Sequence, residues 1–213
     1  ATWANNPIMK DLADAQGAVF AAPTCDEICD WSAAESCGAQ VLSVVRHLKR
    51  RFPIDDDRVY LTGHSMGGRG SFTMGLTYPS TYAGLLPSAA TIGAVAGTLD
   101  VDYHENYCRP HVENALHLRV NLHTGLLDNE FLVAQNQGAA AAFEDLGYDF
   151  EWLAVPDSGH AFDPTVWSEG MTWIMQHTRS PYPSHVIWNQ AEHGSSYYEN
   201  LFLHEGMDPP EFW

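Results

Sequence analysis

The order of apolar and polar positions along the chain switches repeatedly between a helical and an extended period. Behind Asn6 and Pro7, an N-cap and first-turn pair, Ile8, Met9, Leu12 and Ala13 recur at helical spacing, and Gly17 marks the end. Ala18 to Ala22 is a short apolar run stopped by Pro23, which predicts a buried strand. Val41, Leu42, Val45, Leu48 and Phe52 form one stripe of a long amphipathic helix, with Arg46, Lys49 and Arg50 opposite and Pro53 as its stop. Arg58 to Thr62 alternates and predicts a second strand, followed by a glycine-rich turn and a helix running towards Leu76. Further strands are predicted at Leu85 to Ala90, Leu116 to Leu122 and Phe150 to Val155. A helix from Phe131 to Leu146 is closed by Gly147, and Asp163 and Pro164 open a last helix carrying Val166, Met171, Ile174 and Met175. The segment from Thr91 to Pro110 has no clear period and reads as a long loop. Strands separated by helices predict an α/β fold, with a mostly parallel sheet flanked by helices on both faces.

The pattern changes beyond Thr178. Pro181 and Pro183 mark a boundary, and two short aromatic strands, His185 to Trp188 and Tyr197 to Leu203, predict a small C-terminal β appendage. The expected division is a catalytic domain over 1–180 and a β extension over 181–213.

Composition narrows the functions. Of 213 residues, 45 % are hydrophobic, enough for one sizeable core. Acids outnumber bases 27 to 10, and the net charge of −17 argues against nucleic acid and anionic membrane surfaces as partners. The longest nearly apolar run, Gly84 to Gly97, is too short to span a bilayer and contains Pro87. Cys25, Cys29, Cys37 and Cys108 make an even count that suits two disulfides in an exported protein, with three connectivities open; buried free thiols are the alternative.

The sharpest chemical signal is Gly63-His64-Ser65-Met66-Gly67, a G-x-S-x-G set between a predicted strand and a predicted helix. A serine at such a junction sits on a tight turn with its hydroxyl outward. The base it needs is expected from a strand-end loop on the same sheet edge, and His160 follows the last predicted strand. His123 sits at a strand end beside the acid, and His64 is expected to point away from the serine. The acid is expected in the loop between, where Asp128 is favoured over Glu130 on its position after the Gly125 turn. His104, Cys108 and His111, with Asp100 and Asp102, have a spacing that a metal would tolerate. A cysteine among surface histidines is the expected reading, and no metal or cofactor is expected. Trp3, Trp31, Phe162 and Trp167 are candidates for an apolar pocket or for ordinary packing.

On these residues the chain resembles the α/β-hydrolase superfamily. The stretch Asp57-Arg58-Val59-Tyr60-Leu61-Thr62-Gly63-His64-Ser65-Met66-Gly67-Gly68 is similar to secreted esterases of the polyhydroxybutyrate-depolymerase and feruloyl-esterase type, and the resemblance runs from about Pro7 to about His177. It implies an α/β-hydrolase fold and hydrolysis of a small-molecule or polymer-linked carboxylic ester through an acyl-enzyme on Ser65. His160 would be the base, Asp128 its orienting acid, and the Met66 N–H an oxyanion donor. It also implies an extracytoplasmic location. A serine peptidase of the same fold and a non-catalytic binding subunit are the alternatives. The family's second oxyanion donor lies in a His-Gly loop upstream of the first helix, and its first three strands lie there as well. The third of those strands belongs between Ala18 to Ala22 and Arg58 to Thr62. The fold is therefore expected to be N-terminally incomplete, with a further polypeptide segment, or the β tail, filling that gap.

Overall fold

The computed structural model describes residues 5–24, 36–92 and 112–187. Two helices come first. Helix α1 spans Pro7–Gln16, with the Asn6 side chain accepting from the Ile8 N–H and Gly17 closing it at φ 59°. That left-handed turn is one glycine adopts without the clash of a Cβ. Helix α2 spans Ser36–Arg51. Then come strand β1 (Tyr60–His64), helix α3 (Met66–Thr77), strand β2 (Gly84–Ser88), a 3₁₀ turn at Glu113–Ala115, strand β3 (Arg119–Gly125), helix α4 (Glu130–Leu146), strand β4 (Phe150–Val155) and helix α5 (Pro164–Ile174).

The four strands form one parallel sheet in the order β1-β2-β3-β4. Neighbouring residues of a strand serve opposite faces. Leu85, Val120 and Leu122 pack with Phe72 and Leu76 of α3 and Ala139, Ala142 and Phe143 of α4. Leu86 turns the other way, to Met9 of α1 and Trp167, Met171 and Ile174 of α5. Val41 of α2 lies against Met74 of α3. Full burial of side chains such as Phe72, Tyr82 and Phe143 contributes about 1.5–3 kcal/mol each. The expected helices on both faces of a parallel sheet are thus present.

A clasp joins the end of the α/β unit to its middle. Arg179 donates to the Asp57 carboxylate through Nη2 at 2.9 Å and Nε at 3.2 Å, and its N–H donates to the Asp57 carbonyl. Its other guanidinium nitrogen donates to the Ser80 carbonyl.

Two predicted strands are corrected. Ala18 to Ala22 is irregular and only half-buried or exposed, because no described strand lies beside it to take its backbone bonds. His185 to Ile187 forms no strand either; the His185 carbonyl instead accepts from His117. Trp188 and the predicted strand Tyr197 to Leu203 lie outside the described residues. Predicted boundaries shift elsewhere: the strand expected from Leu116 begins at Arg119, because the chain is still turning after the 3₁₀ segment, with the Leu118 N–H donating to the Ala115 carbonyl.

Among the described residues β1 is an edge strand, although helices pack against it. The Val59 carbonyl accepts from the Ala83 N–H and the Ser65 N–H donates to the Ser88 carbonyl, so these groups face β2. Planar trans peptides then aim the Tyr60 N–H and the His64 carbonyl away from β2, and strand alternation sends the backbone of Thr62 the same way. They open on a cavity of about 730 Å³, lined also by Gly17–Pro23 and by Val41, Val45 and Leu48 of α2. The cavity runs up the strand to Ser65 and Met66.

Candidate active site

Three strand-end loops meet at one edge of the sheet. Ser65 lies between β1 and α3 at φ 57° and ψ −119°, a conformation few non-glycine residues adopt. Such a backbone costs on the order of 1–3 kcal/mol and persists where the surroundings enforce it. Here the Ser65 N–H is held by the Ser88 carbonyl at 2.8 Å. The turn is also very tight: a Cβ on Gly63 would lie 2.2 Å from the Gly67 carbonyl carbon and oxygen, and one on Gly68 would lie 2.8 Å from the Ser88 carbonyl oxygen. Only glycine permits this approach of strand and helix.

Asp128 sits in the turn after β3, its N–H donating to the Gly125 carbonyl at 3.2 Å. One carboxylate oxygen accepts from the Asn129 N–H at 2.7 Å, and the Asn129 side chain caps α4 by accepting from the Phe131 N–H. Glu130, the competing acid, is the first residue of α4. The loop after β4 leans on this turn, with the Leu127 N–H donating to the Ser158 carbonyl at 2.9 Å. A Cβ on Gly125 would lie 2.2 Å from the Gly159 carbonyl oxygen.

These loops bring the three residues singled out in the sequence into one line. His160 Nδ1 is 2.7 Å from Asp128 Oδ2, and Nε2 is 2.8 Å from Ser65 Oγ. The carboxylate accepts only, so Nδ1 carries the proton and Nε2 is left to accept from the serine hydroxyl. The Asp128 side chain is 5 % exposed and that of His160 48 %, so the pair is dry at the carboxylate and open at the imidazole. Met66 starts α3, and its N–H is one of the first-turn donors without an intrahelical acceptor. Its side chain and that of Leu127, next in sequence to Asp128, are exposed.

The other histidines separate. His123 lies on β3 and is 4 % exposed, facing α5 rather than the Ser65, His160 and Asp128 line. Burial lowers its pKa to about 4 against the opposing charge of Asp163. The His64 ring meets the backbone of the loop after β4, Nε2 lying 3.0 Å from the His160 carbonyl and Nδ1 3.4 Å from Ser88 Oγ. Strand alternation alone gives no sign of this, since the contact is made across the sheet edge. Phe162 stands edge-on to His64 at 5.8 Å. Trp167 is core, with Nε1 donating to Thr62 Oγ1 at 2.7 Å, and its ring lines the cavity beside β1. The residues 100–111 with their metal-like spacing, Trp3, Trp31, Cys25, Cys29, Cys108 and the Cys37 side chain lie outside the described residues.

A family model named Esterase, with the description "Putative esterase", matches residues 40–162, more than half of the chain and the whole of the Ser65, Asp128 and His160 set. The chain belongs to this esterase family. Solved structures similar to this family member include a thermostable esterase, at 21 % identity and TM-score 0.52 over 70 % of this chain and 41 % of that one. Another is the esterase PE8, at 18 % identity and TM-score 0.51 over 72 % and 67 %. A third is the Staphylococcus aureus fluorophosphonate-binding serine hydrolase FphF, substrate bound, at 20 % identity and TM-score 0.50 over 69 % of each chain. At these identities the likeness establishes the α/β-hydrolase esterase fold. The chain spans 41 % of the first structure's length and about two thirds of the other two. No curated protein matches it.

Proposed function

We propose that the chain is the catalytic part of a serine hydrolase that cleaves a carboxylic ester through an acyl-enzyme on Ser65. The observation that carries this reading is His160 spanning Ser65 and Asp128 at 2.8 Å and 2.7 Å. His160 Nε2 takes the hydroxyl proton as Ser65 Oγ attacks the ester carbonyl, and Asp128 steadies the imidazolium that results. The oxyanion gathers at the Met66 N–H, where the start of α3 favours negative charge. His160 returns its proton to the departing alkoxide, and water repeats the sequence on the acyl-serine. Met66 and Leu127 give the mouth of the site an apolar rim, which suits an uncharged acyl group on a small molecule or on a polymer chain.

The further polypeptide segment belongs to this proposal. Such a segment, from outside 1–213, lies as a strand in the cavity beside β1, accepting and donating along Tyr60, Thr62 and His64. Its upper end reaches Ser65, where a second oxyanion donor is needed. In this reading 1–180 is the catalytic unit, 181–213 an extension, and the protein works outside the cytoplasm with no nucleic-acid or membrane partner.

The experiment is labelling and turnover. Fluorophosphonate is expected to modify Ser65 in the folded chain, and short p-nitrophenyl esters to be cleaved faster than peptide amides. Ser65→Ala should lower kcat by about 10⁴-fold or more with an unchanged circular dichroism spectrum. An unreactive Ser65 in folded protein overturns the enzymatic reading in favour of a binding subunit, and preference for amides points to a peptidase.

A further inference from the structure

We propose that His64 is a positioning residue that ties the turn bearing Ser65 to the loop bearing His160. The inference rests on the ester-hydrolase reading and adds a residue to it.

The argument is one of hydrogen-bond direction. The His160 carbonyl only accepts, so His64 Nε2, 3.0 Å away, must donate to it. The proton is then on Nε2, and Nδ1 is left to accept from the Ser88 hydroxyl at 3.4 Å. Ser88 in turn holds the nucleophile, its carbonyl accepting from the Ser65 N–H at 2.8 Å. A closed ring results: Ser65 N–H to Ser88, Ser88 hydroxyl to His64, His64 to the His160 carbonyl, and Ser65 hydroxyl to His160 Nε2. Three of these four bonds set the distance spanned by the fourth. His64 touches no reacting atom; it acts on the backbone from which the base projects.

The ring is needed because His160 is weakly held otherwise. It sits in an exposed loop, and its side chain is half open to solvent. The loop's bonds to the β3 turn, through Ser158 and through Asp128, lie on the side away from β1. His64 is the anchor on the Ser65 side, and Phe162 packs edge-on to its ring and limits its rotation. A charged His64 would repel the imidazolium that forms at His160, with ring centroids 5.2 Å apart. Burial and the charge of His160 lower the His64 pKa and outweigh the backbone bond to His160 and the charge of Asp128, which raise it, so the neutral donor is favoured.

Two variants separate the two nitrogens. Asn at 64 places a polar atom near the position of Nδ1 and falls short of the His160 carbonyl; Gln carries an N–H out to the position of Nε2. His64→Asn is expected to lower kcat on a short p-nitrophenyl ester by about 10- to 100-fold, the scale of a misplaced catalytic group, with KM nearly unchanged. It should also broaden or remove the low-field proton resonance of His160 Nδ1. His64→Gln is expected to recover kcat to within a few-fold and restore the resonance. Wild-type kcat in His64→Asn overturns the proposal. So does His64→Gln as impaired as His64→Asn, because lost packing would then explain both. If the unmodified chain neither hydrolyses esters nor labels with fluorophosphonate, the enzymatic reading fails. The resonance then still reports the tie: unchanged in His64→Asn, it overturns the positioning role; lost in Asn and restored in Gln, it upholds it.

Discussion

At the scale of single residues, the site shows histidines doing different work by virtue of their surroundings. His123 is enclosed between β3 and α5, with Nε2 lacking a described partner and lying within 2.6 Å of where a Cβ on Gly170 would stand. Unfolded, its imidazole titrates near pH 6.5; folded, burial holds it at about 4. Between those values the unfolded chain binds the extra proton, so the His123 contribution is complete above pH 6.5 and is lost as the pH falls towards 4. The full effect is on the order of 3 kcal/mol. His123→Leu should therefore show a shallower fall in unfolding free energy between pH 7 and 4 than the unaltered chain. Equal slopes in urea titrations would refute this. Ser65, Asp128 and His160 were legible from sequence because each follows a strand and the parallel order puts all strand ends on one edge. The contact of His64 with the His160 carbonyl was not, because it depends on how far two loops lean across that edge.

At the scale of elements, the local signals and the sheet behaved differently. Asn6, Gly17, Gly147 and Asp163 marked helix ends correctly, since a cap satisfies its own helix and needs nothing distant. Ala18 to Ala22 misled, because an apolar run becomes a strand only beside another strand. The meeting of the β3 and β4 loops gives a sharper test of how elements build the site. In Gly125→Ala the methyl would meet the Gly159 carbonyl at 2.2 Å, forcing apart the loops that carry Asp128 and His160. We expect kcat to drop by about 100-fold while helix content by circular dichroism is retained. Activity within two-fold of the unaltered chain would show that the loops move independently of the acid–base pair.

At the scale of the whole molecule, the open side of β1 is the outstanding feature. Amide hydrogen exchange reads it directly. The Tyr60 and Thr62 N–H groups should exchange with solvent far faster than Leu122, which lies inside the sheet. Slow exchange at both would mean that residues of this chain already cover the edge, and would overturn an occupant from elsewhere. The exported character is tested by alkylation: two disulfides predict no thiol accessible without reduction, and four free thiols would overturn it. The fold class was readable from alternation alone, whereas the open edge was expected only through the family resemblance, because the pattern of a strand does not record what lies beside it.

The direction of the β1 peptides has one last result. His64 turns its imidazole to the His160 loop and its carbonyl to the cavity, so a single residue is both a rung for an incoming strand and a brace for the base. A strand docked along this edge would therefore be felt at the base through one side chain, adjusting a serine, imidazole and carboxylate that already stand in line rather than creating that line.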